Sequence, residues 1–152
     1  VLDTSDFTVH ELRRSFRELS EGGGKQTRLT VTLLSFGYKY GVPAESDLLF
    51  DVRFLPNPYF VTGLRGLTGK HSEVQDYVAA APATAPFLEM TTNLLRFLIP
   101  QYVTEGKSYL TVGIGCTGGR HRSVAVVGEL KTRLAGIAGV RWRVKHRDIA
   151  VE

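Results

Sequence analysis

The chain has 152 residues, a formal net charge of +4 and a hydrophobic fraction of 43%. These values are typical of one ordinary globular domain that is long enough to bury a core of its own. The single cysteine, Cys116, excludes an internal disulfide framework, and no group of Cys and His has the spacing of zinc ligands. Both observations favour a reducing cytoplasm and predict a protein without a bound metal.

The sequence also bears on membrane association and on whether the chain is part of a longer protein. No apolar run approaches the roughly 18 residues that a membrane span needs, and the first residues lack the basic and apolar regions of an export signal. We therefore expect a soluble cytoplasmic protein without a membrane partner. Because the chain starts without a methionine, it reads as a domain cut from a longer protein.

The first 26 residues predict a lead-in segment. Leu12, Phe16 and Leu19 recur at helical spacing after a capping pattern that begins at Thr8, which indicates a short amphipathic helix. Three consecutive glycines then predict a flexible turn. We expect residues 1–24 to form the helix and its Gly-rich linker, and residues 25–152 to form the compact domain.

Strand and helix patterns alternate along the rest of the chain. They predict strands at 28–34, 48–55, 108–114 and 140–145, and helices at 71–80, 85–98 and 121–134. This order favours an α/β layered fold with a mostly parallel sheet of about four strands flanked by helices.

Two details of that fold are less direct. The connection at 37–47 is close to the shortest possible parallel crossover, so the first two strands could pair in more than one way. In the second helix, an apolar stripe predicts the side that faces the core, and it consists of Phe87, Met90, Leu94, Leu95 and Leu98.

Ligands of parallel α/β sheets bind beyond the carboxyl ends of the strands. The predicted elements place four chain segments there, which indicates a single site: Lys39, Asn57, residues 116–122, and the pair His146 and Arg147.

Residues 113–123, GIGCTGGRHRS, lie between a predicted strand and a predicted helix. Glycines let backbone N–H groups approach a ligand, and a helix N-terminus carries partial positive charge, so this segment predicts a phosphate cradle. Thr117 can offer its hydroxyl, and Gly118 and Gly119 can offer amides. Arg120 and Arg122 can point in different directions, toward the anion or toward a larger partner. His121 is either a hydrogen-bond donor or a solvated loop residue.

The spacing of Cys116, Arg122 and Ser123 matches the loop of cysteine-dependent phosphatases, in which a thiolate attacks phosphorus beside a bidentate arginine. Gly115 stands where that loop usually has a histidine. Cys116 is therefore a packed thiol, a ligand contact or a nucleophile. Asp51 can form an ion pair with Arg53, bind sugar hydroxyls, or act as a general acid.

Basic residues concentrate at the C-terminal end. Residues 116–152 contain eight Lys or Arg against three Asp or Glu. In the last predicted strand, Arg141, Arg143, Lys145 and Arg147 alternate with Val140, Trp142, Val144 and His146, so the four cations would share one face. Such a row can follow a nucleic-acid backbone, or it can protect a solvent-facing edge strand. Tyr38, Tyr40 and Tyr59 can stack on a ligand or pack against loops.

Six strings, considered together and in order, carry a family resemblance: residues 35–41, 50–58, 67–69, 105–111, 113–123 and 146–148. They resemble the C-terminal domain of the RapZ (RNase adapter protein)/YvcJ family of nucleotide-binding proteins. The resemblance implies a fold similar to α/β sugar-phosphate-binding folds. The resemblance implies a P-loop domain, absent here, on the N-terminal side of this one. No Walker A pattern occurs in this sequence, so the binding of ATP or GTP would belong to that domain. It implies no cofactor and no catalysis in this domain, although a cysteine phosphatase using Cys116 and Arg122 remains the alternative.

The same resemblance implies ligands and partners. Enterobacterial members of the family sense an amino-sugar phosphate and regulate amino-sugar metabolism. They also bind small RNA, present it to a ribonuclease and form homo-oligomers. Carried over by motif, the ligand here would be a phosphorylated amino sugar or nucleotide sugar, held by Asp51, Cys116, Thr117, Gly118, Gly119, His121 and Arg122. RNA would be contacted by Lys39, Arg120, Arg122, Arg143, Lys145 and Arg147.

Overall fold

A computed structural model of the chain describes residues 29–151. The predicted N-terminal helix, the Gly-rich turn and the expected boundary between residues 24 and 25 lie outside the described residues. The described part contains, in chain order, β1 (Leu29–Gly37), β2 (Leu48–Asp51), α1 (Ser72–Ala79), α2 (Thr84–Glu105), β3 (Tyr109–Cys116), α3 (Arg122–Leu134) and β4 (Val140–His146). Two short 3-10 helices, Tyr38–Tyr40 and Pro58–Phe60, follow β1 and β2.

The four strands form one sheet in the order β2-β3-β1-β4, and every pairing is parallel. The predicted α/β layered fold is therefore confirmed. The open question about the first two strands is also resolved, since β1 and β2 do not pair and β3 lies between them. The carboxyl ends of all four strands consequently lie at one edge of the sheet.

One face of the sheet carries the core. Leu29, Val31 and Leu33 of β1 and the alternate residues of β3 belong to a buried cluster that includes Val126 and Leu130 of α3. Helix α3 packs on β1, β3 and β4, and it in turn contacts α1 and α2. Among the described residues, the three helices therefore cover one face of the sheet. The opposite face carries half-buried threonines and, on β4, exposed cations.

The orientation of α2 differs from the prediction. Leu95 is fully buried together with Leu88 and Ile99, whereas Met90 is 67% exposed and Leu94 43% exposed. The predicted core stripe is therefore wrong at Met90 and Leu94. The helix has two apolar stripes that overlap, and periodicity alone does not decide which of them faces α3.

Element ends differ by a few residues from those predicted. β1 continues to Gly37 because it pairs with β3 along its whole C-terminal half. β2 stops at Asp51, after which Leu55 N donates to the carbonyl of Val52 in a turn. α2 runs to Glu105, where Gly106 adopts a φ of +96° and ends the helix in the left-handed conformation.

Adjacent leucines of α2 test this orientation. Leu95→Ala removes a fully buried side chain and is expected to lower the free energy of unfolding by about 2–5 kcal/mol. Leu94→Ala, the matched control on the exposed side, is expected to change it by about 0.5 kcal/mol. Urea denaturation measures both, and a larger loss for Leu94→Ala would contradict the observed face of α2.

Candidate anion-binding site

The predicted cradle is the loop between β3 and α3. β3 ends at Cys116 and α3 begins at Arg122, so the first N–H groups of α3 point toward the carboxyl edge of the sheet. Gly119 has a φ of +76°, and a Cβ there would lie 2.5 Å from the nitrogen of Gly37. A Cβ on Gly37 would lie 2.5 Å from the carbonyl carbon of Gly118. These glycines allow the end of β1 to touch the cradle backbone to backbone.

A half-buried ion pair between Arg147 and Asp148 holds this contact in place. Asp148 is almost fully buried, and its Oδ2 accepts hydrogen bonds from Gly37 N at 2.8 Å and from Arg147 Nη2 at 2.9 Å. Arg147 Nη2 also donates to the carbonyl of Gly41 at 2.6 Å. The pair therefore fixes both ends of the turn that carries Lys39. Arg147 is already bound to Asp148 and to the carbonyl of Gly41, and its predicted contact with RNA stays a prediction.

Cys116 is a buried member of the cradle. Its Sγ lies 3.1 Å from Ser123 Oγ and accepts a hydrogen bond from Gly119 N at 3.3 Å. The thiol thus connects the end of β3 to the cradle and to the first turn of α3. This arrangement is the packed-thiol interpretation, while ligand contact and nucleophilic attack stay predictions.

Arg122 ties the cradle to the segment after β2. It is only 4% exposed, and its Nη1 donates to the carbonyls of Arg53 at 2.9 Å and of Leu55 at 3.0 Å. Its Nη2 donates to Thr117 Oγ1 at 3.3 Å. The phosphatase alternative needs both arms of this guanidinium for a phosphoryl group, so the observed bonds compete with that use. The third nitrogen of the guanidinium, Nε, is buried and has no hydrogen-bond partner among the described residues.

Asp51 forms the predicted ion pair. Arg53 Nη2 donates to its Oδ2 at 2.6 Å, and Arg53 N donates to its Oδ1 at 2.9 Å. Hydrogen bonding from Arg53 holds the pKa of Asp51 below its usual value. The Arg53 guanidinium also lies 4.0 Å from the centre of the Tyr38 ring. Asp51 does not line the cavity described next, so its role toward a ligand stays a prediction.

A cavity of about 570 Å³ lies over the cradle. Its walls come from the cradle, the turn after β1 and the segment after β2. The lining residues outside the cradle are Lys39, Tyr40, Asn57, Tyr59, Phe60, Arg65, Gly66 and Val151. The structure thus brings together Lys39, Asn57 and residues 116–122, as the predicted sheet edge required. Phe60, Arg65 and Val151 also line the cavity, and no sequence motif pointed to them.

The cavity is electropositive. Lys39, Arg65, Arg120 and Arg122 line it, and no Asp or Glu does so among the residues that the structure describes. The N-terminus of α3 adds roughly half a positive charge. Arg120 Nε is a second buried donor without a hydrogen-bond partner in the described part of the chain. This environment favours an anion.

His121 lies in the wall of the cavity and is buried. Its Nε2 donates to the carbonyl of Arg65 at 3.2 Å. Burial lowers the pKa of His121, and the charges of Arg120 and Arg122 act in the same direction against the hydrogen bonds to backbone carbonyls. The imidazole therefore stays neutral to lower pH than an ordinary histidine, so its contribution here is a positioned N–H rather than a charge.

The other predicted basic residues lie elsewhere. His146 shares a hydrogen bond of 2.7 Å with Ser35 Oγ, and it does not line the cavity. Burial, with the nearby charge of Lys70, lowers its pKa. Arg143 and Lys145 lie on the sheet face opposite to the helices, where a second concavity of about 450 Å³ also includes Glu45. Three of the predicted RNA residues, Lys39, Arg120 and Arg122, therefore line the cavity together with the predicted ligand residues of the cradle. Arg143 and Lys145 lie on a separate surface.

Neither a metal site nor a membrane span is found in the part of the chain that the structure describes. Within residues 29–151, no three His, Cys, Asp or Glu side chains are grouped as metal ligands. No helix in the same range has the length and apolar character needed to cross a bilayer.

Comparison with known proteins defines the class. The sheet and cradle belong to a stretch, residues 29–150, that matches the family model of the RapZ C-terminal domain. The chain therefore belongs to the RapZ C-terminal domain family.

Relatives of known sequence agree with this assignment. The chain is 51% identical over 148 residues to a nucleotide-binding protein of Geobacter sulfurreducens, covering 97% of this chain and 52% of that protein. It is 52% identical over 152 residues to one of Parafrankia, covering 100% and 52%. It is 50% identical over 149 residues to one of Moorella thermoacetica, covering 98% and 49%. The chain thus spans about half the length of the curated relatives it matches.

The two arginines of the cradle are expected to differ in their effect on stability. Arg122→Lys loses the forked donors that reach Arg53 and Leu55, and it is expected to lower the free energy of unfolding by about 1.5–3 kcal/mol without any ligand. Arg120→Lys, the matched control, is expected to change it by about 0.5 kcal/mol or less. Denaturation in phosphate-free buffer measures both values. Equal effects of the two substitutions would contradict the structural role of Arg122.

Proposed function

We propose that this domain is a regulatory binding domain that senses a phosphorylated amino sugar or nucleotide sugar. One observation carries the proposal: the buried Nε of Arg122, without a protein partner among the described residues, lies in the wall of a cationic cavity at the N-terminus of α3. An unpaired buried charged donor costs free energy, and an anion in the cavity would satisfy it.

A phosphate group fits the donors available. The free N–H groups at the start of α3, the amides of the cradle and the guanidinium of Arg120 surround one end of the cavity. The remaining volume and Asn57 can accommodate a sugar and its hydroxyl groups. Binding rather than turnover is proposed because Cys116 is buried and Arg122 Nη1 already serves two carbonyls.

The wider context of the proposal comes from the family. The relatives are named nucleotide-binding proteins, and about half of each lies outside the stretch matched here. We place ATP or GTP binding in that other half, and we propose a cytoplasmic, homo-oligomeric protein. In such a protein, ligand binding in the cavity would regulate amino-sugar metabolism through a partner such as a ribonuclease.

Gly118 offers a direct test of the cavity. A Cβ at Gly118 meets no atom within 4 Å, so Gly118→Ala puts a methyl group into the cavity without disturbing the protein. The unmodified chain is expected to gain about 2.7 kcal/mol of stability when a hexosamine phosphate or nucleotide sugar is present at about 100 times its Kd. Gly118→Ala is expected to weaken that binding about tenfold or more, which is about 1.4 kcal/mol.

Gly63→Ala is the matched control, because a Cβ there also meets nothing within 4 Å and Gly63 does not line the cavity. Thermal denaturation and calorimetric titration measure both variants. Absence of a melting shift with every phosphorylated sugar tested, at millimolar concentration, would sink the proposal.

RNA binding is the second part of the proposal, and a separate surface supports it. Arg141, Arg143 and Lys145 are exposed along β4 and alternate with residues that face the helices. Three cations at a spacing of two strand residues extend over about 13 Å, which is long enough to follow several phosphates of a single strand. Arg147 does not continue this row because it is bound to Asp148.

Salt dependence tests the RNA surface. Replacement of Arg143 and Lys145 by Gln is expected to weaken the binding of a small single-stranded RNA and to reduce the slope of log affinity against log salt by about 1.4. Lys131→Gln with Arg133→Gln, on α3, removes the same charge and serves as the control. RNA affinity that is indifferent to salt, or equally reduced in both variants, would contradict this surface.

A further inference from the structure

Exposed aromatic rings surround the mouth of the cationic cavity. Phe60 is 76% exposed, and Tyr59 and Tyr40 are also exposed. All three line the cavity. Exposed apolar side chains that adjoin one another at a cavity are typical of a ligand-binding surface, and covering such a side chain is worth about 1.5–3 kcal/mol.

The rings are held in place by their neighbours. Tyr59 and Phe60 lie edge to face with their centres 5.6 Å apart. The guanidinium of Arg65 lies 4.9 Å from the centre of the Tyr59 ring, and Arg65 Nε donates to the carbonyl of Tyr59 at 2.8 Å. Asn57 Oδ1 accepts from Tyr59 N at 3.1 Å and starts the short 3-10 helix. Phe60 is thus presented on an ordered segment, with most of its surface uncovered.

The cations reach from the inner end of the cavity to its mouth. Arg122 is buried beside the cradle, whereas Lys39 and Arg65 come from the same walls as the aromatic rings. Lys39 Nζ lies 5.4 Å from the centre of the Tyr40 ring. Positive charge is therefore available for more than one phosphate along the way from the cradle to the rings.

We propose that the ligand of this cavity is a nucleoside diphosphate, free or carrying a sugar, whose base stacks on the aromatic wall formed by Tyr59 and Phe60. This inference rests on the proposed function and selects one chemical class from it. Its phosphates lie between the cradle and the cations of the mouth. A sugar monophosphate satisfies the inner donors but has no π-face to cover Phe60, while a base does both.

A calorimetric comparison of ligands with the 152-residue chain tests the proposal. The probes are UDP and GDP, UDP-linked N-acetylglucosamine, inorganic pyrophosphate and glucosamine phosphate. Stacking of a base is worth about 1–3 kcal/mol, so a nucleoside diphosphate is expected to bind about 5- to 150-fold more tightly than pyrophosphate.

Phe60→Ala separates the base from the phosphates. It is expected to remove most of the advantage of UDP or GDP over pyrophosphate and to leave pyrophosphate affinity unchanged. Phe54→Ala is the matched control, because Phe54 is also exposed but does not line the cavity. Circular dichroism of each variant verifies that the fold is retained.

The outcomes distinguish this inference from the proposal on which it rests. If nucleoside diphosphates and pyrophosphate bind equally, or if glucosamine phosphate binds more tightly than both, the aromatic wall does not bind a base and the inference is overturned while the phosphate site stands. If no probe binds at millimolar concentration, the anion site itself is wrong and both proposals fall.

Discussion

The backbone contact between the end of β1 and the cradle is the constraint on which the candidate site depends. Gly37 lies so close to Gly118 and Gly119 that a side chain on Gly37 or Gly119 would collide with main-chain atoms. Asp148 stabilises this approach by accepting the N–H of Gly37, and its charge is balanced by Arg147. Because the end of β1 lies so close to the cradle, the turn after β1 lies next to the start of α3. The cavity is the space that these two segments leave between them.

Arg122 holds the third wall of the cavity, the segment after β2, in place. Its bonds to the carbonyls of Arg53 and Leu55 bring the segment after β2 to the cradle, even though β2 is separated from β1 by β3 in the sheet. One buried guanidinium thus joins two parts of the carboxyl edge, the cradle and the segment after β2. The same side chain leaves Nε without a protein partner among the described residues. In the proposed function, one residue therefore both stabilises the walls of the cavity and binds the anion.

Several features followed from the chain alone. Alternation of strand and helix patterns predicted the parallel α/β sheet. The Gly-rich segment after β3 predicted a loop that leads into a helix start, which the structure contains, and its binding of an anion stays a prediction. The position of Lys39 and Asn57 near the cradle also followed, since the carboxyl ends of parallel strands share an edge. Periodicity did not reveal that Met90 and Leu94 face outward, because two apolar stripes overlap on α2 and only packing against α3 selects between them.

The sequence by itself determined the local elements, the location of the cradle and, through its motifs, membership of the RapZ C-terminal domain family. The Asp51–Arg53 pair was one of the predicted alternatives, but only the tertiary structure decided what the other charged side chains do. Asp148 accepts the N–H of Gly37, Arg147 reaches the carbonyl of Gly41, and Arg122 joins two loops. Arg120 lines the cavity with an Nε that has no partner among the described residues. A linear pattern fixes where a charge stands in the chain. Its long-range partners are set by the fold: Gly37 and Asp148 are 111 residues apart, and only the completed sheet brings them within hydrogen-bond distance.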